Sequence, residues 1–197
     1  MDQEKVWDEI ASEWKEFRVE TPTEVVDFLD GKTGKMLDVG CGSGRNFVKQ
    51  KGLNLYGVDF STEMLKYARE RAEKIGVEVY LEKATCVSLP FEDEFFDHVL
   101  LYAVVHCVEE EKKRRKTLEE VYRVLKSGGT AFVCVWGKNC SKLKNKKKED
   151  FVNWGGVKRF NYIYDLEELR DLLVDVGFEI VRSWEDENVC FEVRKGN

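Results

Sequence analysis

One segment organises this chain: Lys35-Met36-Leu37-Asp38-Val39-Gly40-Cys41-Gly42-Ser43-Gly44. Its apolar start predicts a buried strand, and that strand runs directly into glycines at alternate positions. Glycine tolerates positive φ and lets a ligand approach the backbone where a Cβ would clash. Residues 45–51 are expected to open a helix whose free N–H groups border the same crevice. Together these features predict an open α/β sheet with a nucleotide-sized site at the carboxyl ends of its strands.

Three known sequence motifs place a glycine-rich turn after a strand, and each binds a different kind of ligand. A dinucleotide-binding G-x-G-x-x-G motif needs glycine or alanine at its sixth place, where this chain has Arg45. A P-loop needs a glycine five residues before Gly-Lys-Thr, and Val26 occupies that place before Gly31-Lys32-Thr33. The remaining pattern, D-x-G-x-G-x-G over residues 38–44, resembles the turn of class I S-adenosylmethionine (SAM)-dependent methyltransferases at every fixed place.

The composition narrows the class of protein. The 197 residues predict one domain, 1–197, with a sizeable core. No apolar run is long enough to span a bilayer, and residues 1–4 do not resemble a signal peptide. We therefore expect a cytoplasmic protein that does not associate with a membrane. The six cysteines show no paired C-x-x-C spacing, which predicts reduced thiols and no metal site. A net charge of −6 disfavours nucleic-acid binding unless a local basic patch supplies it.

The N-terminal region, 1–30, is predicted to be a helical cap. Apolar residues at helical spacing indicate an amphipathic helix that carries Trp7 and Trp14 on its apolar face. Core packing is the ordinary interpretation of such rings. The resemblance to methyltransferases adds a second interpretation, since in that family an N-terminal helix often closes over the cofactor.

A predicted second strand ends at Asp59, 21 residues after Asp38. An acidic residue at about this offset meets ribose hydroxyls, because a carboxylate accepts both hydroxyl protons. The alternative is a solvated turn aspartate. Ser61 is predicted to cap the next helix and Gly76 to end it. The resemblance implies that Phe60 and Met64 pack against the adenine.

A third predicted strand leads into Thr85 and Cys86, where the resemblance implies contacts to the adenine amino group. The family usually has an acidic residue at the place of Thr85, so the contact here would come from its hydroxyl or from the Cys86 N–H. A fourth strand ends at Tyr102 and leads to His106. A methyl acceptor is expected at this strand end, with His106 either positioning or deprotonating it or serving as a structural histidine.

Residues 137–164 form a long basic and aromatic insertion before the last helix. Lysines crowd its first half, 138–148, and aromatic residues with Arg159 fill its second half. Cations and unstacked rings suit single-stranded RNA, whereas the alternative is a flexible lysine-rich loop. We expect a loop near the active end of the sheet.

The order of elements predicts the fold. Five strands alternate with helices, and a terminal β-hairpin follows, so we expect a doubly wound, mostly parallel α/β sheet of seven strands with a C-terminal antiparallel hairpin. This Rossmann-like architecture is that of the class I methyltransferases.

Four segments resemble one subgroup more closely, the tRNA wobble-uridine (5-carboxymethyluridine) methyltransferases: 102–106, 124–126, 133–136 and 159–164. That family has histidines where this chain has Cys107 and Tyr162, both at the expected substrate end. The resemblance implies methylation of a carboxymethyl group in tRNA, bound through 138–148 and 159–164, and in some members a small activator protein. The alternatives are a small-molecule methyltransferase and a SAM-binding subunit that needs a partner protein.

The resemblance also implies residue roles. Catalytic roles fall to His106, Tyr102 and Arg159. The expected SAM-binding residues are Asp38, Gly40, Cys41, Gly42, Gly44, Asp59, Phe60, Met64, Thr85, Cys86 and Tyr102.

Overall fold

The computed structural model describes residues 2–17, 19–140 and 147–197. Within them the chain forms, in order, α1 (Gln3–Phe17), α2 (Thr23–Leu29), β1 (Gly34–Val39), β2 (Leu53–Asp59), α3 (Thr62–Ile75), β3 (Val79–Lys83), β4 (Phe96–Tyr102), a 3-10 turn (Val105–Cys107), α4 (Glu111–Val124), β5 (Leu125–Trp136), β6 (Glu149–Trp154), β7 (Val157–Tyr162), α5 (Leu166–Val176), β8 (Phe178–Glu185) and β9 (Asn188–Lys195). None of these helices combines the length and apolarity needed to cross a bilayer.

The main sheet has the predicted seven-stranded architecture. Its strand order is β3-β2-β1-β4-β5-β9-β8. Strands β1 to β5 pair in parallel, and β9 runs antiparallel to both β5 and β8. The mostly parallel sheet and the terminal hairpin are therefore confirmed. The order reverses at β1 and β4, which places the crevice of a doubly wound sheet at the ends of these two strands.

Both faces of the sheet are covered, which is why its central strands are apolar at nearly every position. Successive residues of β1 point to opposite faces: Met36 packs with α2 and α3, and Leu37 packs with α4 and α5. Both residues are fully buried. The core therefore lies as two apolar layers, one on each side of the sheet.

Two caps set the direction in which α3 leaves the sheet. The Ser61 side chain accepts a hydrogen bond from the Met64 N–H, and Gly76 ends the helix in the left-handed region at φ 68°. Both were predicted from the sequence and are confirmed. The cap brings the start of α3 close to Asp59, at the end of β2.

The predicted helix over residues 45–51 is wrong, because this segment forms turns. Its polar side chains bond across the fold instead: the Asn46 amide donates to Asp38, and the Gln50 amide donates to the carbonyls of Leu29 and Lys32. Phe47 is buried in the core. These tertiary bonds outweigh the modest helix propensity of a short segment.

Within the insertion 137–164, the structure has a β-hairpin where the sequence predicted a loop. β6 and β7 form a two-stranded antiparallel hairpin, and both glycines of its turn, Gly155 and Gly156, have positive φ. Phe160, Tyr162 and Tyr164 are buried in the main core. Lys142, Lys144 and Lys146 lie outside the described residues.

A buried ion network holds the loop that follows β3. The Glu120 carboxylate accepts hydrogen bonds from the Leu89 N–H at 2.9 Å and from Arg123 Nη2 at 2.7 Å. Arg123 also donates to the carbonyls of Leu89 and Phe91. The hydrogen bond from Arg123 is the main cause that lowers the pKa of Glu120 to about 2.

Replacing this carboxylate should lower stability. We expect Glu120→Gln to reduce the free energy of unfolding by about 1–3 kcal/mol at pH 7, because Arg123 loses the buried one of its two carboxylate partners and keeps only the exposed Asp93. A lowered carboxyl pKa contributes stability above the unfolded pKa, and this contribution disappears as the pH falls toward 2. The variant should therefore also show less acid dependence between about pH 4.5 and 2. Urea unfolding measures both effects, and the exposed neighbour Glu119→Gln is the matched control; equal stability of the two variants would contradict the expectation.

Candidate active site

A cavity of about 440 Å³ opens at the carboxyl ends of β1, β2 and β4. Its size falls in the range of small-molecule and cofactor sites. The glycine turn after β1 forms its floor, and α1 forms its roof. The residues that line it are Asp2, Gln3, Trp7, Trp14, Gly40, Cys41, Gly42, Ser43, Arg45, Asn46, Asp59, Phe60, Ala84, Thr85, Cys86, Val87, Tyr102, Ala103, Val104, Cys107, Val108, Glu109, Glu110 and Lys113.

The glycine turn leaves one open backbone surface toward the cavity. Gly40, Gly42 and Gly44 all have positive φ. A Cβ added at Gly40 would lie 2.5 Å from a methyl group of Val104, and one at Gly44 would lie 2.6 Å from the ring of Phe47. At Gly42 the nearest atom is 4.0 Å away, so this glycine leaves free space beside the backbone. The turn thus fits a ligand that lies against Gly42.

Asp38 lies beneath the turn and does not line the cavity. Its carboxylate is fully buried, and both of its oxygens accept hydrogen bonds from the Asn46 amide, at 3.2 and 3.3 Å. Burial raises the pKa of Asp38 to about 7. Its position favours a role in holding the turn over direct contact with a ligand.

Asp59 joins the glycine turn to the start of α3. One carboxylate oxygen accepts from the Gly42 N–H and the other from the Ser61 N–H, both at 2.9 Å. Burial raises the pKa of Asp59 to about 6. A carboxylate offers about four lone-pair sites, so two remain for the hydroxyls of a ribose.

The cavity is also lined by Phe60, Thr85 and Cys86, which the sequence predicts to meet the adenine; this assignment stays a prediction. The Cys86 sulfur accepts a hydrogen bond from the Thr117 hydroxyl at 3.3 Å, and burial raises the pKa of this thiol. Met64 is 1% exposed and is not among the lining residues. It lies beneath Gly42, with its sulfur 4.0 Å from an added Cβ there.

The opposite end contains Tyr102 and a strained residue. The Tyr102 hydroxyl donates to the Glu24 carboxylate at 2.6 Å, and burial raises the pKa of Tyr102. Ala103 has φ 63°, a left-handed conformation that is uncommon for a residue with a side chain. Its N–H donates to the Cys134 carbonyl at 2.7 Å. Such strain is frequent where a fold positions a functional wall.

His106 lies behind the cavity wall. It is 1% exposed, its ring stacks on Trp136 with centroids 5.2 Å apart, and it does not line the cavity. This placement agrees with the structural interpretation of the histidine. The neighbouring Cys107 does line the cavity.

Helix α1 is fixed over the site by polar contacts at its N-terminal half. Asp8 accepts hydrogen bonds from the Ser61 hydroxyl at 2.6 Å and from the Glu63 N–H at 3.1 Å. Gln3 donates to Glu109 at 2.9 Å. Trp7 and Trp14 line the cavity, and closure of the helical cap over a cofactor stays a prediction.

Arg159 occupies an aromatic cage that includes Trp7 and Trp14, and it is not itself among the residues that line the cavity. Its guanidinium carbon lies 4.8 to 5.9 Å from the ring centroids of Trp7, Trp14, Trp136 and Trp154. The residue is 3% exposed, and its Nε has no hydrogen-bond partner. Burial lowers the pKa of the guanidinium. No ion pair joins Arg159 to another residue of the described ranges.

Several residues of the site were not predicted. Ser43, Arg45 and Asn46 line the cavity. The available signal for Asn46 in the sequence was its position eight residues after Asp38, at the end of a predicted buried strand. Glu24 reaches Tyr102 from α2, 78 positions away in sequence. No local sequence pattern predicts that contact.

In residues 2–17, 19–140 and 147–197, no group of three or more His, Cys, Asp or Glu side chains is placed to hold a metal ion.

Comparison with known proteins identifies the class. A family model described as a methyltransferase domain matches residues 37–133. An Encephalitozoon cuniculi protein named as a methyltransferase is 31% identical over 182 residues, which cover 84% of this chain and 81% of that protein. The fold, the cavity and these matches define a SAM-dependent methyltransferase. The chain belongs to the class I SAM-dependent methyltransferases, and SAM is its cofactor.

Two further matches concern a tRNA methyltransferase, of which the chain matches only a part, and a solved structure that shares the fold. A Xenopus tropicalis tRNA (carboxymethyluridine(34)-5-O)-methyltransferase is 33% identical over 146 residues, which cover 73% of this chain. The chain spans only about a fifth of that relative, 22% of its length. A SAM-dependent methyltransferase of known structure from Methanosarcina mazei superposes with a TM-score of 0.73 at 23% identity, over 89% of this chain and 99% of that one. This second likeness shows the shared fold.

The cavity fits SAM by its carboxylate acceptor and by the open backbone at Gly42. Gly42 leaves the open backbone, Asp59 has two lone-pair sites for the ribose, and Thr85 and Cys86 line the far end. When bound, SAM supplies a methyl group already activated by a sulfonium. The enzyme's residues then mainly have to hold the acceptor in line with it.

The raised pKa of Asp59 predicts a pH-dependent cofactor affinity. Below about pH 6 the carboxyl is protonated in the free enzyme, so the ribose hydroxyls lose an ionised acceptor. We expect the affinity for S-adenosylhomocysteine to rise by up to about tenfold from pH 5 to pH 7.5, with proton release on binding. Titration calorimetry in buffers of different ionisation enthalpy measures both. Asp59→Asn should weaken binding about 10- to 100-fold at pH 7.5 and flatten the profile; a variant that keeps the wild-type profile would rule Asp59 out.

Proposed function

We propose that this methyltransferase esterifies a carboxymethyl group on the wobble uridine of tRNA. The observation that carries the proposal is Arg159, a guanidinium that is 3% exposed and has no carboxylate partner among the described residues. A buried charge without a counter-ion is costly, unless a ligand supplies the opposite charge during the working cycle. The acceptor carboxylate of such a uridine is an anion of the required kind.

The surroundings of Arg159 suit the rest of this substrate. Trp7 and Trp14 contact the guanidinium and also line the cavity. Tryptophan rings provide stacking surfaces for an unpaired base, which is how single-stranded RNA is commonly bound. An arginine fork matches the two oxygens of a carboxylate. A uridine that carries a carboxylate therefore meets both kinds of partner in one place.

The transfer itself requires little from the protein. A carboxylate is ionised at neutral pH, so its oxygen attacks the methyl carbon while the carbon–sulfur bond breaks, and no proton has to be removed. The sulfonium becomes a neutral thioether and the acceptor becomes a neutral ester. In this scheme Arg159 orients the carboxylate, Tyr102 borders the transferred methyl, and His106 supports the wall through Trp136 without acting as a base.

The tRNA would lie along the insertion that carries Arg159. Of the lysines in 138–148, Lys138, Lys147 and Lys148 lie within the described residues and are exposed. Lys148 pairs with Glu168 at 2.9 Å, beside the buried Tyr162. The name of the Xenopus tropicalis relative supports the same substrate. Cations on this hairpin would reach phosphates while Trp7 and Trp14 hold the base.

A second candidate is a small-molecule methyltransferase. The observation that favours it is the roof formed by α1, which gives the cavity the partly enclosed shape of a small-acceptor site. Under this alternative, the exposed lysines of the insertion have no role in catalysis. The third interpretation, a SAM-binding subunit that needs a partner protein, is tested by the same assay below.

The first experiment identifies the acceptor. The protein is incubated with radiolabelled SAM and bulk tRNA that lacks wobble methylation, and the tRNA is then treated with mild alkali. We expect label to enter the tRNA and to leave it as methanol, since alkali hydrolyses a carboxyl ester. Label that resists alkali would place the methyl on a base or ribose atom. No label in the tRNA, despite SAM binding, would favour a small acceptor or a missing partner and would reject the proposal.

Replacing Arg159 should separate substrate recognition from cofactor binding. We expect Arg159→Gln to lower kcat/KM for tRNA about 10- to 100-fold, because the acceptor carboxylate loses a charge-assisted pair, with Arg159→Lys intermediate. The dissociation constant of S-adenosylhomocysteine should change less than about twofold. Arg170→Gln, which removes an arginine that is paired to Glu167 and Ser183 away from the cavity, is the control. Equal weakening of cofactor and tRNA binding would mean that Arg159 only supports the fold.

Neutralising the insertion lysines should weaken tRNA binding alone. For Lys138→Gln, Lys147→Gln and Lys148→Gln combined, we expect the slope of log K against log salt to become shallower by about 0.7 to 0.9 for each phosphate that these lysines neutralise. Cofactor affinity should stay unchanged. The matched control removes three exposed cations of α3 with Lys66→Gln, Arg69→Gln and Lys74→Gln. If both triple variants have the same salt slope, the insertion does not bind tRNA.

A further inference from the structure

One buried arginine outside the site described so far contacts both the cavity wall and the insertion. Arg114 lies in the first turn of α4, within the basic run 112–116. The other side chains of this run reach solvent, whereas Arg114 is 3% exposed. A buried guanidinium is costly unless its donors are satisfied, so the partners of Arg114 indicate what it holds.

The guanidinium holds a segment of the cavity wall. Its Nη1 donates to the carbonyl of Val108 at 3.0 Å and to that of Glu109 at 2.9 Å. Both residues line the cavity, and they follow the 3-10 turn after β4, where the methyl acceptor is expected. The Glu109 carboxylate also accepts a hydrogen bond from Gln3 of α1 at 2.9 Å. Arg114 thus fixes the backbone of Glu109, while the side chain of Glu109 is bound to the roof of the cavity.

The same guanidinium contacts the hairpin that carries Arg159. Its Nη2 pairs with Glu149, the first residue of β6, at 3.5 Å. Its carbon lies 4.0 Å from the centroid of the Tyr162 ring, at the end of β7. Glu149 and Tyr162 are paired across the open end of the hairpin. Arg114 therefore joins the wall at 108–109 to the base of the element on which Arg159 lies.

We propose that Arg114 is a positioning residue for methyl transfer, because it sets the distance between the cavity wall at 108–109 and the hairpin that carries Arg159. This role rests on the proposed function for the identity of the acceptor. Arg114 is not among the residues that line the cavity, so its effect passes through the groups that it holds. A misplacement of about 1 Å in such groups is enough to lower a rate about 100-fold. The cofactor side of the cavity is held by other bonds, among them those of Asp59, so SAM binding should not depend on Arg114.

Steady-state kinetics separates positioning from stability. We expect Arg114→Gln to lower kcat for tRNA about 10- to 100-fold at a temperature well below its unfolding midpoint. The KM for tRNA and the dissociation constant of S-adenosylhomocysteine should each change less than about threefold. Arg114→Lys keeps the charge but loses the planar fork, so its kcat should be intermediate, and it takes the place of Arg114→Gln if that variant fails to fold. Arg115→Gln, which removes the half-exposed neighbour paired with Asp175, is the matched control and should change all three quantities less than about twofold.

Hydrogen exchange gives a readout that needs no acceptor. With S-adenosylhomocysteine bound, Arg114→Gln should lower the amide protection of residues 105–110 and 149–162 together, by about tenfold or more. Residues 38–61, on the cofactor side, should change less than about twofold. Arg115→Gln should leave all three segments as they are in the wild-type protein.

Three results would overturn the role of Arg114. A lower Tm with unchanged kcat would mean that this arginine only stabilises the fold. Equal losses of kcat and of cofactor affinity would mean that it supports the whole cavity. Protection that is lost equally in residues 38–61, or lost nowhere, would mean that it does not join the wall to the hairpin. If the wild-type protein leaves tRNA unlabelled, the proposed function fails, and the exchange data alone decide whether Arg114 joins these two parts.

Discussion

Beneath the glycine turn, the Asn46 amide donates to both oxygens of the buried Asp38 carboxylate, while Asp59 accepts the N–H of Gly42 from the neighbouring strand. These bonds tie the end of β1 to the end of β2 and hold the left-handed turn between them. Burial makes each carboxylate costly to ionise, so both depend on their hydrogen bonds. The rest of the site is built outward from this turn: α3 begins beside Asp59, and Arg45 follows Gly44.

The upper part of the cavity is built differently, from rings and not from backbone bonds. Helix α1 and the β6–β7 hairpin meet through Trp14 and Trp154, whose ring centroids lie 5.0 Å apart. Arg159, on β7 of this hairpin, lies within the tryptophan cage. In the proposed function, the floor holds the cofactor through glycine backbone and carboxylates, and the roof offers aromatic surfaces and a cation to the acceptor. This separation explains how one fold keeps a constant cofactor while its acceptors vary.

Local patterns were reliable where one short segment carries all the information. The strands, the Ser61 cap, the Gly76 stop and the terminal hairpin follow from apolar periodicity and capping chemistry, and the structure has them. The helix expected over 45–51 failed because Asn46, Phe47 and Gln50 bond or pack with residues far from them in the fold. The hairpin of the insertion differs from the predicted loop, because lysines and aromatic residues dominate its composition and its only local turn signal is the glycine pair at Gly155.

The sequence by itself determined the fold class, the seven-stranded order of elements and the position of the cofactor turn, because glycine spacing and apolar alternation act over a few residues. It also named Asp59, Thr85, Cys86 and Tyr102, which do line the cavity. Only the tertiary structure decided which charged side chains are buried near the cavity and what surrounds them. Nothing in the residues next to Arg159 predicts its tryptophan cage, because α1 and the strands β5 and β6 bring those rings to it in the fold. Burial and pairing are properties of the folded neighbourhood, so no local pattern contains them.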